Sequence, residues 1–473
     1  MSAGTRTRVE HVLLVAALCA AAAACGKDER AFSIVAPQRS ITPLERAPQV
    51  EVMATWNVIT LKTTAAGKFS PPRETRSLAI VSAAIHDAVC SIMPQCEPYA
   101  VRVETSRDAS VEAAIGAAAH DVLIALYPSA ATSLNISYDS ALAELPAGRR
   151  RDLGVAVGQN AAAAALAMRA QDHASDQVVY TPSAGVGNWA PTPPAFLPAL
   201  EPGWGRVTPF LLQSGDEFRP GPPPAPGSDG YVRDYLEMVG IGAANSTTRT
   251  ALETETARFW ISTAPQLWNQ VVRQLTHERG MNVATAARAY LLLNLAGADA
   301  MIAAWDAKFA YGQWRPVTAI RSLADDGSAE TSPDLTWTPL LATPPFPDYP
   351  AAHVVYGGAA AVVLQALFGD RHGELSITSA TAGGVTHHYQ SFAEIADEVE
   401  NARVWGGVHW RTSVTVGRAM GRRIGAEALE NAHAISRAGR RCASSHAAAA
   451  QFHERAGGKG CGVAIIELRD VSR

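Results

Sequence analysis

KFAYGQWRP, residues 308–316, carries a lysine and an arginine seven residues apart, closed by a proline and set among aromatic side chains. Seven residues span two helical turns, so Lys308 and Arg315 are expected on one side of a helix. Pro316 disfavours helical backbone at Arg315, so the helix is expected to end there, with Arg315 in its last turn and free to enter a pocket. A lysine and an arginine on a solvated helix face are common. Here Trp305, Phe309, Tyr311 and Trp314 interleave the charges, and exposed faces are seldom so aromatic.

Two further segments extend the pattern. In YPAAH, residues 349–353, Pro350 reads as the first residue of a helix over 351–368, which puts His353 in the first turn. A helix N-terminus offers free backbone N–H groups and partial positive charge, which suit an anion. In ARVWGGVHW, residues 402–410, Arg403 and His409 flank Gly406 and Gly407. The glycine pair is expected to break the helix, so that Arg403 ends one helix and His409 begins the next, both turned inward. Each histidine alone reads as structural. Together, Lys308, Arg315, Arg403, His353 and His409 are the inventory for a tetrahedral oxyanion with a nucleophile or ligand on one side and a proton carrier on the other.

Around these segments helical periodicity dominates. Residues 75–91, 111–127, 133–144 and 151–172 carry apolar side chains at three- and four-residue spacing. Residues 231–240, 253–261, 268–279, 282–308, 351–368, 392–403 and 408–432 do the same. Strand-type alternation is nearly absent. Residues 181–230 are too dense in proline and glycine for a bundle helix and read as a long crossing connection. The expected fold is all-α: two helical bundles joined by the Pro-rich crossing, with the active site in the C-terminal bundle. The expected division is a signal or lipoprotein peptide at 1–25, a tether at 26–50 and an N-terminal helical bundle at 51–180. The connection at 181–230, a catalytic helical bundle at 231–440 and a tail at 441–473 complete it. AAIHDAV at 83–89 and AAAHDVL at 117–123 both place His-Asp in an Ala-rich helix. Adjacent helical residues point about 100° apart and neither segment has a second histidine at i+4, so inter-helix hydrogen bonding is expected rather than metal ligation.

The 473 residues, 48% apolar, suffice for one large domain or two ordinary ones. A formal net charge of −4 argues against a nucleic-acid partner, so any anion site is local. Arg6 and Arg8 precede a 13-residue apolar run, 12–24, too short to span a bilayer and fitting an export signal. Residues 22–26, AAACG, resemble a bacterial lipoprotein processing site with a lipid anchor at Cys25, although ordinary signal-peptidase cleavage fits the same alanines. The expected location is therefore exported: periplasmic, lipid-anchored at the outer membrane, or secreted. Cys90 with Cys96, and Cys442 with Cys461, are natural pairs in an oxidising compartment; free thiols are the alternative.

The three segments resemble the signature of the vanadium-dependent haloperoxidases and the wider type 2 phosphatidic acid phosphatase superfamily, K-x6-R-P, P-S-G-H and S-R-x3-G-x-H-x3-D. Lys308 with Arg315 and Pro316 matches the first. Pro350 and His353 match the second, and Arg403, Gly407 and His409 the third. Residues 71–89, the crossing with Trp189, and TPPFPDYPAAH at 343–353 are similar to the bacterial haloperoxidase-related group. Three departures stand out. Ala351 replaces the motif serine and removes a hydroxyl donor; Ala352 replaces the glycine, leaving its backbone N–H; Ser413 replaces the aspartate, so the orientation of His409 lacks an explanation.

The resemblance implies a vanadate cofactor, with His409 as the metal ligand and Lys308, Arg315, Arg403 and the Ala352 N–H holding its oxygens. His353 would handle protons and Lys308 would polarise hydrogen peroxide, whose partner would be halide or a small organic substrate, halide being oxidised to hypohalous acid. Trp305 and Phe346 match aromatic positions of a halide pocket, although plain core packing accounts for them equally. The same residues suit a soluble acid phosphatase in which His409 attacks phosphorus and His353 protonates the leaving oxygen. A non-catalytic oxyanion-binding helical protein is a third possibility.

Overall fold

The computed structural model describes residues 48–68, 70–449 and 464–466, with side chains described through residue 432. Cys25, the leader and Cys461 lie outside these residues, and with Cys461 the expected pairing of Cys442 and Cys461.

The organising element is a 29-residue helix, Val283–Tyr311, with apolar residues on every side and no polar face. A helix of that composition is stable only when covered all round. Helices are numbered in chain order: α1 Pro48–Ala66, α2 Pro71–Ile92, α3 Val111–Leu126, α4 Ala131–Ala143, α5 Arg149–Met168, α6 Asp229–Ile241, α7 Ala251–Phe259, α8 Ala264–Glu278, α9 Val283–Tyr311, α10 Pro316–Ile320, α11 Ala352–Phe368, α12 Phe392–Trp405 and α13 Arg411–Ala449. On one side α9 packs on α2, which packs on α3 and α5; on the other it packs on α11, which packs on α12 and α13. The two expected bundles are thus present and fused along α9. A main hydrophobic core runs unbroken from Val50 in α1 to Ala432 in α13, and a second, smaller one gathers α6, α10 and residues at the helix junctions, among them Trp314, Ala351, Val404 and Trp410.

Local chemistry sets the helix ends. Ser110, Ser228, Asn282 and Ser391 each cap a helix by accepting a backbone N–H three residues on, and Thr250 with Glu253 forms a reciprocal capping box. Alanine and glycine let helices approach closely: a Cβ at Gly154 or Gly158 of α5 would strike carbonyl oxygens of Ser110 and Ala114. The two His-Asp pairs are structural. Asp87 accepts the backbone N–H groups of Tyr99, Ala100 and Val101, while His120 bonds Asn135 of α4 and stacks on Tyr138. Cys90 and Cys96 form a disulfide beside His86.

As far as Ser228, the cap of α6, the Pro-rich crossing holds no α-helix, and it wraps the C-terminal end of α9. Asp299 of α9 accepts the backbone N–H groups of Phe210, Leu211 and Leu212 at 2.7, 2.7 and 3.0 Å. Arg219 grips Asp306 with two bonds of 2.7 Å, and Trp189 N–H donates to the Gly312 carbonyl. Beside the helices stand two short strand pairs. Leu375–Ser379 (β2) and Val385–Tyr389 (β3) form an antiparallel hairpin, and Val101–Val103 (β1) pairs in parallel with Ala464–Ile466 (β4). Leu375, Ile377 and Ser379 face inward in alternation, but five residues are too few to stand out against the helical periodicity. No helix among the described residues is long and apolar enough to cross a membrane.

Candidate active site

The C-terminal end of α9, the N-terminal end of α11 and the junction of α12 with α13 meet in the C-terminal bundle. Lys308 lies in the last turn of α9, fully buried, and its Nζ donates to the carbonyls of Pro347 and Asp348 at 2.9 and 2.8 Å. The helix does not end at Pro316. It ends at Gly312, which takes the left-handed conformation (φ 59°), the exit that glycine permits. Pro316 instead opens α10, with Arg315 as its extended N-cap. Lys308 and Arg315 therefore converge through a helix exit, not along one helix face. Arg315 Nε donates to the Phe346 carbonyl (2.8 Å) and Nη1 to the Val408 carbonyl (2.6 Å), which ties the first segment to the other two.

At the second segment Ala351 is the N-cap and Ala352 the first helical residue, so Pro350 precedes the cap and does not occupy the first helical position. His353 still falls in the first turn, and the Ala352 N–H is among those without a partner inside the helix. His353 Nε2 lies 3.2 Å from the Ser262 carbonyl. A carbonyl only accepts, so Nε2 carries the proton and Nδ1 is the free acceptor.

At the third, Arg403 sits in the last turn of α12 and Nη1 donates to the Trp260 carbonyl at 2.9 Å. Gly406 caps the helix, and Gly407 adopts φ 74° against the Gly242 carbonyl, where a side chain has no room. His409 is buried in this turn, two residues before α13 begins, rather than within the helix. Its Nε2 lies 3.3 Å from Arg315 Nη1.

The chain thus brings together all five charged and imidazole groups singled out from the sequence, with the Ala352 backbone beside them. Phe346 lies under both Lys308 and Arg315, with ring-centroid distances of 5.1 and 4.8 Å, and Trp305 packs on it at 4.9 Å. Those two aromatics form an apolar wall against the cations. The residue that sequence reasoning passed over is Asp348. It is fully buried, and its Oδ1 is 2.9 Å from His409 Nδ1 and 3.5 Å from Arg315 Nη1. Its only sequence signal is a carboxylate amid the prolines ahead of Tyr349 and Pro350.

Burial and like charge dominate the electrostatics. Lys308 is pushed well below its ordinary value by burial and by Arg315. Burial lowers Arg315 and Arg403 to about 10, and Arg315 adds to the effect on Arg403. His353 falls to about 3 through burial and the Arg403 charge, and His409 is driven well down by burial and then Arg315. Asp348 is raised to about 6 by burial, against the pull of Arg315 and Lys308. Three cations share one carboxylate, so the pocket is short of negative charge.

The comparisons with known proteins converge on one family. The model of the VCPO second helical-bundle domain matches residues 288–438, which contain every one of these groups. The vanadium chloroperoxidase of Curvularia inaequalis is 25% identical over 463 residues, covering 74% of this chain and 75% of its own. The crystal structure of a bacterial vanadium-dependent iodoperoxidase is similar with a TM-score of 0.70 and 26% identity, covering 84% of this chain and 98% of that one. A holo-type bacterial vanadium-dependent chloroperoxidase shares the fold at a TM-score of 0.61 and 19% identity, over 78% and 93% of the two chains. With its helical architecture and its clustered cations and imidazoles, this chain is a homologue of the vanadium-dependent haloperoxidases.

Proposed function

We propose that the protein is a vanadate-dependent haloperoxidase, in which hydrogen peroxide oxidises halide to hypohalous acid. The observation that carries this reading is a set of buried donors left without acceptors. Arg315 Nη2 and Arg403 Nε have no hydrogen-bond partner, and two carbonyls engage Lys308 Nζ, which has three protons to donate. Unpaired buried charge is costly, and an oxyanion satisfies all three residues at once. Vanadate fits: Lys308, Arg315, Arg403 and the Ala352 N–H would hold its oxygens, and His409 Nε2 would be its ligand. Bound there, vanadate would supply a Lewis acid that activates peroxide toward halide.

The chain's own residues do the rest. The cations neutralise charge as peroxide gives up a proton, and His353 Nδ1 accepts it, its basicity recovered once a bound anion offsets the Arg403, Lys308 and Arg315 charges that lower its pKa. In the overall reaction halide loses two electrons, the peroxide O–O bond breaks, and one proton is consumed to give hypohalous acid and water. Phe346 and Trp305 offer the halide a weakly hydrated apolar wall beside the cations. The Cys90–Cys96 disulfide agrees with export to an oxidising compartment, as the leader implies.

The test is halogenation of an organic acceptor with peroxide and iodide, bromide or chloride, with and without vanadate, alongside phosphate-ester hydrolysis. Vanadate-dependent halogenation that is lost in His409→Ala is expected. Ester hydrolysis inhibited by vanadate, without halogenation, would make the protein a phosphatase of the same superfamily. Failure of both reactions would leave an oxyanion-binding protein.

A further inference from the structure

We propose that Asp348 is the positioning residue that orients His409, in place of an aspartate on the following helix. The proposal rests on His409 as the group facing the anion, and it adds how that ring is held. A histidine that presents one nitrogen to a metal or phosphorus centre is fixed through the other, and the holder decides which nitrogen carries the proton. In the family signature the holder stands four residues after the histidine. Here that position is Ser413, whose Oγ donates to the Asp348 backbone carbonyl at 3.1 Å. The carboxylate arrives from the second segment instead, with Oδ1 2.9 Å from His409 Nδ1.

The proposed holder selects one tautomer. The neighbours of His409 Nδ1 are Asp348 Oδ1 and Arg315 Nη1, the latter 3.4 Å away and only a donor. A carboxylate only accepts, so with Asp348 as its holder the ring would carry its proton on Nδ1, and Nε2, 3.3 Å from Arg315 Nη1, would be the acceptor nitrogen that faces the anion. Asp348 is itself braced by the other two segments. Its N–H donates to the Gln313 carbonyl at 2.9 Å, and its own carbonyl accepts from Lys308 Nζ and Ser413 Oγ. The Ser413 carbonyl in turn accepts the Ala351 N–H at 3.1 Å. The serine that displaced the family's aspartate therefore braces its replacement. A carboxylate at both positions would place two negative groups side by side in a buried site.

The test uses the full chain and two readouts. In vanadate-free protein, imidazole nitrogen NMR should show His409 as the Nδ1–H tautomer, and D348A should give a mixture or the Nε2–H form. Vanadate affinity should fall about 10- to 100-fold in D348A, as for other residues that orient a metal ligand. Phosphate, which is held by the cations without a bond to His409, should bind D348A at least as tightly as wild type, because a negative neighbour has gone. The double variant D348A/S413D should recover the tautomer and most of the vanadate affinity. The near-isosteric D348N carries the same readouts if D348A does not fold. An unchanged tautomer, or vanadate and phosphate affinities falling together, overturns the proposal. The tautomer readout is independent of turnover, so a protein that never halogenates but loses its Nδ1–H form in D348A refutes the haloperoxidase reading alone.

Discussion

In the proposed reaction His353 has two duties that pull its chemistry in opposite directions. It must be neutral to accept a proton, yet it stands near Arg403, Lys308 and Arg315, which would welcome an anion. Burial and those charges hold its pKa at about 3 in the vanadate-free protein, against about 6.5 in an unfolded chain. Between those values the unfolded chain binds a proton that the folded chain refuses, so acid draws the equilibrium toward unfolding. Stability is expected to fall as pH drops from about 7 toward 3, with His353 contributing up to about one proton to the slope. His353→Gln should flatten that part of the slope. The comparison with wild type isolates this residue from His120 and His387, whose pKa values are raised and whose contributions have the opposite sign. Urea denaturation of both proteins at intervals from pH 4 to 7 is the measurement. Parallel curves would show that His353 is not held neutral by its surroundings.

At the scale of elements, the separation of His353 from His409 depends on how closely α11 and α13 pack, because one residue opens α11 and the other sits just ahead of α13. Glycines set that approach: a Cβ on Gly421 would strike the Val355 carbonyl, and one on Gly358 the Arg418 carbonyl. Gly421→Ala should therefore push the helices apart. A cost of about 1–3 kcal/mol is expected from the overpacking, with weakened vanadate binding as the histidines separate. Denaturation and vanadate titration of the variant check both parts, and a change within about 0.5 kcal/mol would show that the helices accommodate the methyl group. These two helices are legible in the chain because their small and apolar residues recur with helical period. The cationic cluster is legible for another reason: Lys308, Arg315, Arg403 and both histidines are side chains that packing alone seldom requires together. The turns between elements are less so. Pro316 looks like a helix stop, yet Gly312 terminates α9, because a left-handed exit uses a freedom that a one-dimensional pattern does not display. Asp348 was illegible because its value lies in a contact 61 residues along the chain, made only once the second and third segments fold together.

On the scale of the whole molecule, the site joins parts that are distant in sequence and draw on two cores, the main one with Trp305, Phe346 and Ala352 and the smaller one with Trp314, Ala351 and Trp410. Every segment proposed to hold the oxyanion is anchored to α9, α11 or the α12–α13 junction, and the core around α9 continues without a break into the N-terminal helices. A net charge of −4 gives no general attraction for anions, so binding must come from the buried donors and be little weakened by moderate salt. An anion that binds only the folded chain adds RT ln(1 + [L]/Kd) to its stability, about 2.7 kcal/mol at a hundredfold excess over Kd. Because the core is continuous, that increment should raise the stability of both bundles together. Urea unfolding with saturating vanadate should therefore keep one transition and move its midpoint upward. Arg403→Ala removes a donor whose Nε has no other partner, so it should abolish most of the shift while changing the vanadate-free midpoint far less. If vanadate instead split the curve in two, stabilising one half alone, α9 would not couple the bundles. If it left the curve unmoved, the buried guanidinium donors would not be an oxyanion site.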